Sequence, residues 1–427
     1  MTTSTTTLTF LATGDPTGLK FTVEFGDRRA IFDFGLQHAP GAAPFAQGVV
    51  PRPGHELHDL RALGMAPALD GIYERWDRRT AVFITHLHLD HTGLVRFLAP
   101  EVPLHYPAEM GPLRDAAVAG GEATWRAPGA ERPLRDRERV EWGAITVEPV
   151  AVDHDVPGAT GYLITTPDLR LAYTGDHRWH GLHPERTRSF AEAASGCEVL
   201  IQEAVGLSTL PADPDPTADP DPAPAPLAEA DVSAGFERVL RETRGLVVLN
   251  AYPMNRERVA GFAAACARAG RKLVLEEGFA RTAGLESTGS LAAARLDPAR
   301  HAVQLSFTEL PALLDLDLAD AAYVHSDGMP LGWFDPAHPV LLAWVERLGL
   351  RYVVLHSSGH TWGRDLPRIA SIARPGVVLP VHSRTPERYR APAGVGTLLP
   401  EAGHPYTAGE LLQHAGRTSA RFSRTEP

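Results

Sequence analysis

Thr85-His86-Leu87-His88-Leu89-Asp90-His91-Thr92-Gly93 is the stretch on which the reading of this chain turns. The residues before it, Ala81-Val82-Phe83-Ile84-Thr85, are apolar and rich in β-branched and aromatic side chains, which predicts a buried strand ending where the histidines begin. In extended backbone, side chains two residues apart point to the same side, so His86 and His88 can face one cation together. Leu87 and Leu89 are then expected to point back into the core. Asp90 and His91 fall at the start of a predicted helix running through Thr92-Gly93-Leu94-Val95-Arg96-Phe97-Leu98, from which a carboxylate and an imidazole can reach a second cation beside the first. The pattern predicts two metals close together.

This cluster resembles the signature of the metallo-β-lactamase superfamily, and segments further along extend the resemblance. Val152-Asp153-His154-Asp155-Val156-Pro157-Gly158-Ala159 looks like the third motif of that family, which implies His154 as the last ligand of the first metal. Leu171-Ala172-Tyr173-Thr174-Gly175-Asp176-His177-Arg178 places Asp176 where the family has its bridging carboxylate, and Leu379-Pro380-Val381-His382 supplies a late histidine for the second metal. Ala30-Ile31-Phe32-Asp33-Phe34-Gly35 resembles the first motif, whose aspartate supports and orients ligands from behind. The resemblance thus implies His86, His88 and His154 on one zinc, Asp90, His91 and His382 on the other, and Asp176 shared, with manganese also admitted by an all-nitrogen-and-oxygen donor set.

The wide gap between Asp176 and His382 resembles the β-CASP branch of the superfamily, the ribonuclease J-like nucleases in which an α/β domain interrupts the first. Its own motifs are matched by Leu200-Ile201-Gln202-Glu203-Ala204, by His356-Ser357-Ser358-Gly359-His360 and by Pro380-Val381-His382. The fold implied is α/β, a metallo-β-lactamase αββα sandwich interrupted by a β-CASP domain. The expected limits are 1–205 for the first part of the sandwich, 206–350 for the insert and 351–427 for the return, with Arg351-Tyr352-Val353-Val354-Leu355 as the returning strand. The chain departs from ribonuclease J in following His382 with Ser383-Arg384 rather than Gly-Glu, and a separate C-terminal domain is not expected.

Composition bounds the answer. The chain has 427 residues, 44% of them apolar, enough for two or three domains. No stretch approaches a membrane span and the Thr-rich start lacks the features of a secretory signal, so a soluble cytoplasmic protein is expected. Cys197 and Cys266 have neither disulfide nor metal spacing and read as small buried residues. The net charge of −11 runs against binding a polyanion, although a basic-free stretch from Pro211 to Asp231 holds six of the acids. Within it, residues 211–226 form a Pro- and Asp-rich linker that cannot bury apolar surface.

Strands are predicted at 8–14, 20–25, 140–142, 145–150 and 162–165, and short apolar strands at 246–249, 272–275 and 321–324 imply a mostly parallel sheet in the insert. The resemblance implies a hydrolase that attacks a phosphodiester of RNA or single-stranded DNA with a metal-activated hydroxide. Asp90, Asp176, His360 and Glu203 are the catalytic candidates, His360 being the general acid held by Glu203. Ser357, Ser358 and the Gly359 amide are candidate phosphate contacts, and Arg178 and Arg256 are weaker ones. His177, His180 and His183 are candidates to line the cleft, His325, His356 and His38 to support it, and His105 is expected to be structural or at the surface. A small-molecule phosphodiester or ester hydrolase on the same scaffold is the alternative, and a non-catalytic nucleic-acid-binding subunit a third reading. Nucleic acid, RNA above all, is the expected partner; a homodimer stays open.

Overall fold

A computed structural model of the chain describes residues 4–14, 18–37, 44–45, 48–125, 129–208, 227–332 and 334–422, with side chains up to 415; the 211–226 linker and His38 lie outside the described residues. Two seven-stranded sheets face each other. The first has the order Pro405–Thr407, Thr7–Thr13, Leu19–Phe25, Arg28–Phe32, Thr80–Phe83, Leu104–Pro107 and Glu131–Leu134. The second runs Gly396–Thr397, Val377–Val381, Val199–Glu203, Leu169–Tyr173, Thr160–Thr166, Ile145–Ala151 and Val140–Trp142.

Strand Thr7–Thr13 alternates buried and partly buried positions because only one of its faces looks into the sandwich. That face gives Leu8 and Phe10 to a core in which Phe21, Phe32 and Phe83 meet Tyr162, Ile164, Tyr173 and Ile201 of the opposite sheet. Phe21 stacks on Phe32 at 5.1 Å and Phe32 on Phe83 at 5.4 Å. Each such ring contributes on the order of 1.5–3 kcal/mol by leaving water. Helices cover the outer faces: Glu56–Ala62 and Gly111–Gly120 pack over Ile31, Val82 and Leu104, while Pro184–Ala193 and Pro367–Ala373 pack over Ala172, Leu200 and Val378. The result is the αββα sandwich that the sequence predicts.

A third sheet of five strands lies between strand Val199–Glu203 and strand Val377–Val381 in the chain, in the order Lys272–Val274, His301–Gln304, Val247–Ala251, Ala322–Ser326 and Arg351–Val354. All its pairings are parallel. Helices flank both faces, so Val247–Ala251 and Ala322–Ser326 are buried throughout. The strand Arg351–Val354, expected to open the return to the first domain, instead pairs with Ala322–Ser326 as an outer strand of this sheet. Tyr352 stacks on Tyr323 there at 6.2 Å. A short apolar strand carries no mark of which sheet it will join. The return to the sandwich therefore comes later in the chain, at helix Pro367–Ala373 and strand Val377–Val381.

Candidate metal centre

The sequence-predicted ligands meet where several strands of the sandwich end. Thr85 to His91 follow Thr80–Phe83, His154 follows Ile145–Ala151, Asp176 follows Leu169–Tyr173, and His382 follows Val377–Val381. The helix expected after His91 is shorter than predicted: one turn spans Leu89–Thr92, and a 3₁₀ turn follows at Val95–Phe97. Leu87 is buried as expected, but Leu89 is 45% exposed, because the chain has already turned into that helix. Gly35 lets the turn approach, since a Cβ at this position would lie 1.5 Å from the Asp90 carbonyl oxygen.

Ligand-type atoms of His86, His88, His154 and Asp176 lie within 4.8 Å of one another, and so do those of Asp90, His91 and His382. A third grouping joins Asp176, His360 and His382 within the same span. Neighbouring groups aim several of these atoms. His91 donates from Nδ1 to Asp33 at 2.8 Å, which leaves its Nε2 facing the centre. Thr85 Oγ1 lies 2.9 Å from His86 Nδ1 and itself donates to Asp33, so His86 also presents Nε2. His154 donates from Nδ1 to the Gly359 carbonyl at 2.6 Å. Asp33 is fully buried, has a φ of +54°, and accepts further bonds from the Thr85 amide at 2.8 Å and the Tyr173 hydroxyl at 2.6 Å. Expected from sequence as a support behind the ligands, it lies behind His91 and Thr85.

Whether cations fit is tested by what the atoms lack. His86 Nε2, His91 Nε2 and Asp176 Oδ2 are buried and have no hydrogen-bond partner among the described residues. Buried polar atoms are almost always satisfied, and a convergent set of unsatisfied nitrogen and oxygen donors suits divalent cations. The electrostatics agree. Burial pulls His86 well below the usual histidine range. Burial also opposes charge on His91, but the Asp176, Asp33 and Asp90 carboxylates outweigh it and push that imidazole up to about 10. His382, between Asp176 at 3.1 Å and Asp90 at 2.9 Å, is likewise raised. Protons stand where cations would satisfy the same carboxylates.

His360 and Glu203 sit on the far side of Asp176. His360 Nδ1 lies 3.6 Å from Asp176 Oδ2 and 3.7 Å from Glu203 Oε2. Burial, reinforced by the Asp176 charge, pushes the Glu203 carboxyl up to about 8, while burial pushes His360 down to about 4. His177 lies under them, fully buried, with Nδ1 3.5 Å from Glu203. His180 stacks on Trp362 at 4.2 Å, and His183 pairs with Glu257 at 2.7 Å.

The segment from His356 to His360 is held by its carbonyl groups. Arg258 donates to Ser357 O at 2.7 Å, His180 Nε2 lies 3.0 Å from Ser358 O, and His154 takes Gly359 O. Ser357 is buried, so its hydroxyl is not an open phosphate contact as drawn from sequence, whereas the partly exposed Ser358 accepts the His360 amide at 3.1 Å through its hydroxyl and keeps that hydroxyl's proton to donate. Arg178 and Arg256 also differ from expectation. Arg178 is fully buried and bonded to Glu229 at 2.7 Å, while Arg256 donates to Thr282 O at 2.8 Å and to Pro112 O at 3.3 Å. Buried Arg258 bridges Glu229 and Asp327, and His356 is held by Asp327 at 2.9 Å.

Sequence reasoning missed Thr85, Tyr173, Glu229 and Arg258, whose partners are distant in sequence. It also missed Tyr252, which the third-sheet domain brings to 5.7 Å from the His88 ring, and Asp155, although the run Asp153-His154-Asp155 advertised it. Among the described residues no helix is long and apolar enough to cross a membrane.

Residues 53–209 match the family model of the beta-lactamase superfamily domain. Ribonuclease J of Mycobacterium tuberculosis (strain CDC 1551 / Oshkosh) is 23% identical over 366 residues, covering 77% of this chain and 62% of that protein. Ribonuclease J of Pyrococcus abyssi (strain GE5 / Orsay) is 28% identical over 165 residues, 34% of either chain. A crystal structure of a protein of unknown function from Enterococcus faecalis V583 superposes with a TM-score of 0.77 at 28% identity, covering 94% of this chain and 100% of that one. The match to the mycobacterial relative thus spans less than two thirds of its length. With the paired sheets and the strand-end histidines and aspartates, these matches show that the chain carries a beta-lactamase superfamily domain over residues 53–209 and is similar to ribonuclease J over 77% of its length.

Proposed function

We propose that the chain is a metal-dependent phosphodiesterase of the β-CASP branch that cleaves RNA or single-stranded DNA, with the third-sheet domain as the β-CASP insert. The observation that carries this reading is the convergence of unsatisfied His86, His91 and Asp176 atoms beside the His360–Glu203 pair. In this reading His86, His88 and His154 would hold one cation and Asp90, His91 and His382 a second, with Asp176 available to both. Two divalent cations, zinc by preference and manganese as a second option, would supply a water of lowered pKa and neutralise charge on the phosphodiester. The chain's own residues do the rest. Asp33 and Thr85 fix the His91 and His86 tautomers. Glu203, raised to about 8, keeps a proton at neutral pH beside His360 Nδ1, and the pair carries the proton that the leaving oxygen takes. The carbonyls of Ser357, Ser358 and Gly359 are tied back to Arg258, His180 and His154, and the Gly359 amide is the candidate phosphate contact.

Digestion of matched 5′-labelled single-stranded RNA and DNA by metal-replete protein tests the reading. Products with 5′-phosphate and 3′-hydroxyl ends are expected, without 2′,3′-cyclic phosphate. His88→Ala and Asp176→Ala should lose both metal and cleavage, whereas His360→Ala should keep its metal and slow cleavage by roughly 10²–10⁴-fold. Loss of a cation from His360→Ala as readily as from His88→Ala would make His360 a ligand, as its grouping with Asp176 and His382 allows. The net charge of −11 favours a second reading, a phosphodiesterase for small substrates. Hydrolysis of an activated small diester with no cleavage of either polymer would establish that one instead.

A further inference from the structure

The net charge of −11 is spread unevenly. Residues 363–390, which begin just after His360 and include His382, hold six arginines against two acids. Two arms of this stretch leave the candidate centre side by side. One runs from His360 into helix Pro367–Ala373 and carries Arg364 and Arg368; the other runs on from His382 and carries Arg384, Arg388 and Arg390. Gln202 ties the arms together, donating to Leu366 O at 2.7 Å and accepting from the Tyr389 hydroxyl at 2.8 Å. The short helix Val205–Ser208 sits against both: a Cβ at Gly206 would lie 2.1 Å from Thr361 O, and Ser208 Oγ lies 3.1 Å from Ser383 Oγ. Arg388 donates to Leu207 O at 3.4 Å.

Several of these guanidinium groups are held in place without being neutralised. Arg364 lies 4.6 Å over the Trp362 ring and Arg368 4.3 Å over the Trp179 ring, yet their side chains are 68% and 47% exposed. The two share one carboxylate, Asp365, at 3.6 and 3.5 Å. Arg390, also exposed, donates to the carbonyls of Glu387 and Tyr389 at 2.9 and 3.2 Å and pairs with no carboxylate among the described residues. Elsewhere exposed arginines are closely paired, Arg132 with Glu138 and Arg139 with Glu148, each at 2.6 Å. A guanidinium stacked on a ring or fixed by backbone carbonyls keeps outward N–H groups for a phosphate.

We propose that this arginine strip is a docking surface for the phosphate backbone of a single-stranded nucleic acid, holding the part of the polymer that extends past the reacting bond. The inference rests on the reading of the centre as a phosphodiesterase, and it selects the polymer over the small substrate. A small diester is contained within the centre and is not helped by cations beyond it, whereas a polymer carries a charge on every nucleotide. Contacts of this kind reach phosphate and not base edges, so the strip positions the strand without reading its sequence.

The test measures binding by the full chain, loaded with zinc, of a phosphorothioate dinucleotide and of a phosphorothioate single strand of about 12 nucleotides, both of which keep their charge and resist cleavage. The strip variant combines Arg364→Gln, Arg368→Gln and Arg390→Gln. A control combines Arg295→Gln, Arg300→Gln and Arg347→Gln, exposed residues of the third-sheet domain. Arg300 and Arg347 precede strands of that parallel sheet, whereas Tyr252, beside His88, follows one, so the control sits at the far end from the centre. Both variants change net charge alike, and only position separates them. For the longer strand the strip variant should bind roughly tenfold more weakly, and the slope of log affinity against log salt should fall by about 2, at about 0.7 for each of three contacts. The loss should not depend on base sequence. The dinucleotide, too short to reach the strip, should lose little, and the control should keep the wild-type slope. Arg390→Gln alone should lower the slope by about 0.7, which decides the matter if the triple variant does not fold. A strip variant with the wild-type slope, or a control that loses as much, overturns the inference while leaving the phosphodiesterase centre intact. A wild-type chain that binds the dinucleotide but not the longer strand overturns it in favour of the small substrate, and one that binds neither overturns the phosphodiesterase reading as well.

Discussion

Replacing Asp33 with asparagine changes one atom in a fully buried hub. Its carboxylate accepts from the Thr85 amide at 2.8 Å, the Thr85 hydroxyl at 2.9 Å, His91 Nδ1 at 2.8 Å and the Tyr173 hydroxyl at 2.6 Å. An amide group fits the same space but offers only one acceptor oxygen. If its NH₂ takes the Oδ1 place, it meets the Thr85 amide, donor against donor. If it takes the Oδ2 place, it meets His91 and Tyr173, and His91 can adapt only by moving its proton to Nε2, the atom that faces the centre. In either orientation at least one donor is left unpaired, at about 1–3 kcal/mol, and the surviving bonds drop from charge-assisted to neutral strength, at about 1 kcal/mol each. The total is about 3–5 kcal/mol, with no solvent to soften it. Denaturant unfolding in the presence of EDTA should show that loss, and chelator competition on the refilled protein should show metal affinity lowered roughly 10–100-fold. A metal-free variant within about 1 kcal/mol of wild type, with unchanged metal affinity, would refute the argument that Asp33 holds the ligands in place.

Gly35→Ala should destabilise more severely than an exposed glycine substitution, because its Cβ collides with the Asp90 carbonyl; loss of soluble protein or of bound metal checks it, and Gly409→Ala, where the Cβ meets nothing and the backbone is unstrained, serves as the packing control. Arg258→Met should cost on the order of 3–5 kcal/mol in thermal or denaturant unfolding, since it leaves Glu229 and Asp327 without their shared counter-charge. Acid sensitivity should carry a contribution from His105, buried against Phe83 at 4.6 Å and pushed down to about 4 by that burial. An unfolded chain takes up that proton below about pH 6.5 while the folded chain resists it, so stability is lost as pH falls from there towards about 4, by at most about 3 kcal/mol. His105→Gln should flatten that limb of the stability profile, and an unchanged slope would reject the assignment.

The candidate centre was legible because its ligands stand at strand ends and one run, 85–91, holds four of them in a row of six positions. The core strands were legible from their pattern: Thr7–Thr13 and Leu19–Phe25 alternate, and the third-sheet strands Val247–Ala251 and Ala322–Ser326 are short and mainly apolar. Partnership was not legible. Nothing in Arg351–Val354 distinguishes an outer strand of the third sheet from a returning strand of the sandwich. Arg178 and Arg258 carry no sign of burial, since what makes burial tolerable is Glu229, Asp153 and Asp327, acids that only folding brings near. Leu89 fails as a core residue because the backbone leaves the extended state after His88 and the two-residue alternation stops there.

Strand Val377–Val381 pairs with Val199–Glu203 on one side and Gly396–Thr397 on the other, and delivers His382 to Asp90 and Asp176. In the order of synthesis, every other ligand of the candidate centre leaves the ribosome first, followed by the whole third-sheet domain. During that interval Val199–Glu203 is an open sheet edge, able to pair with any strand that arrives, and Asp90 and Asp176 still lack the His382 imidazole between them. The last piece of the sandwich thus acts as a keystone: a nascent chain can fold most of two layers while the candidate centre stays unfinished, and the same gap makes a truncated product an aggregation hazard.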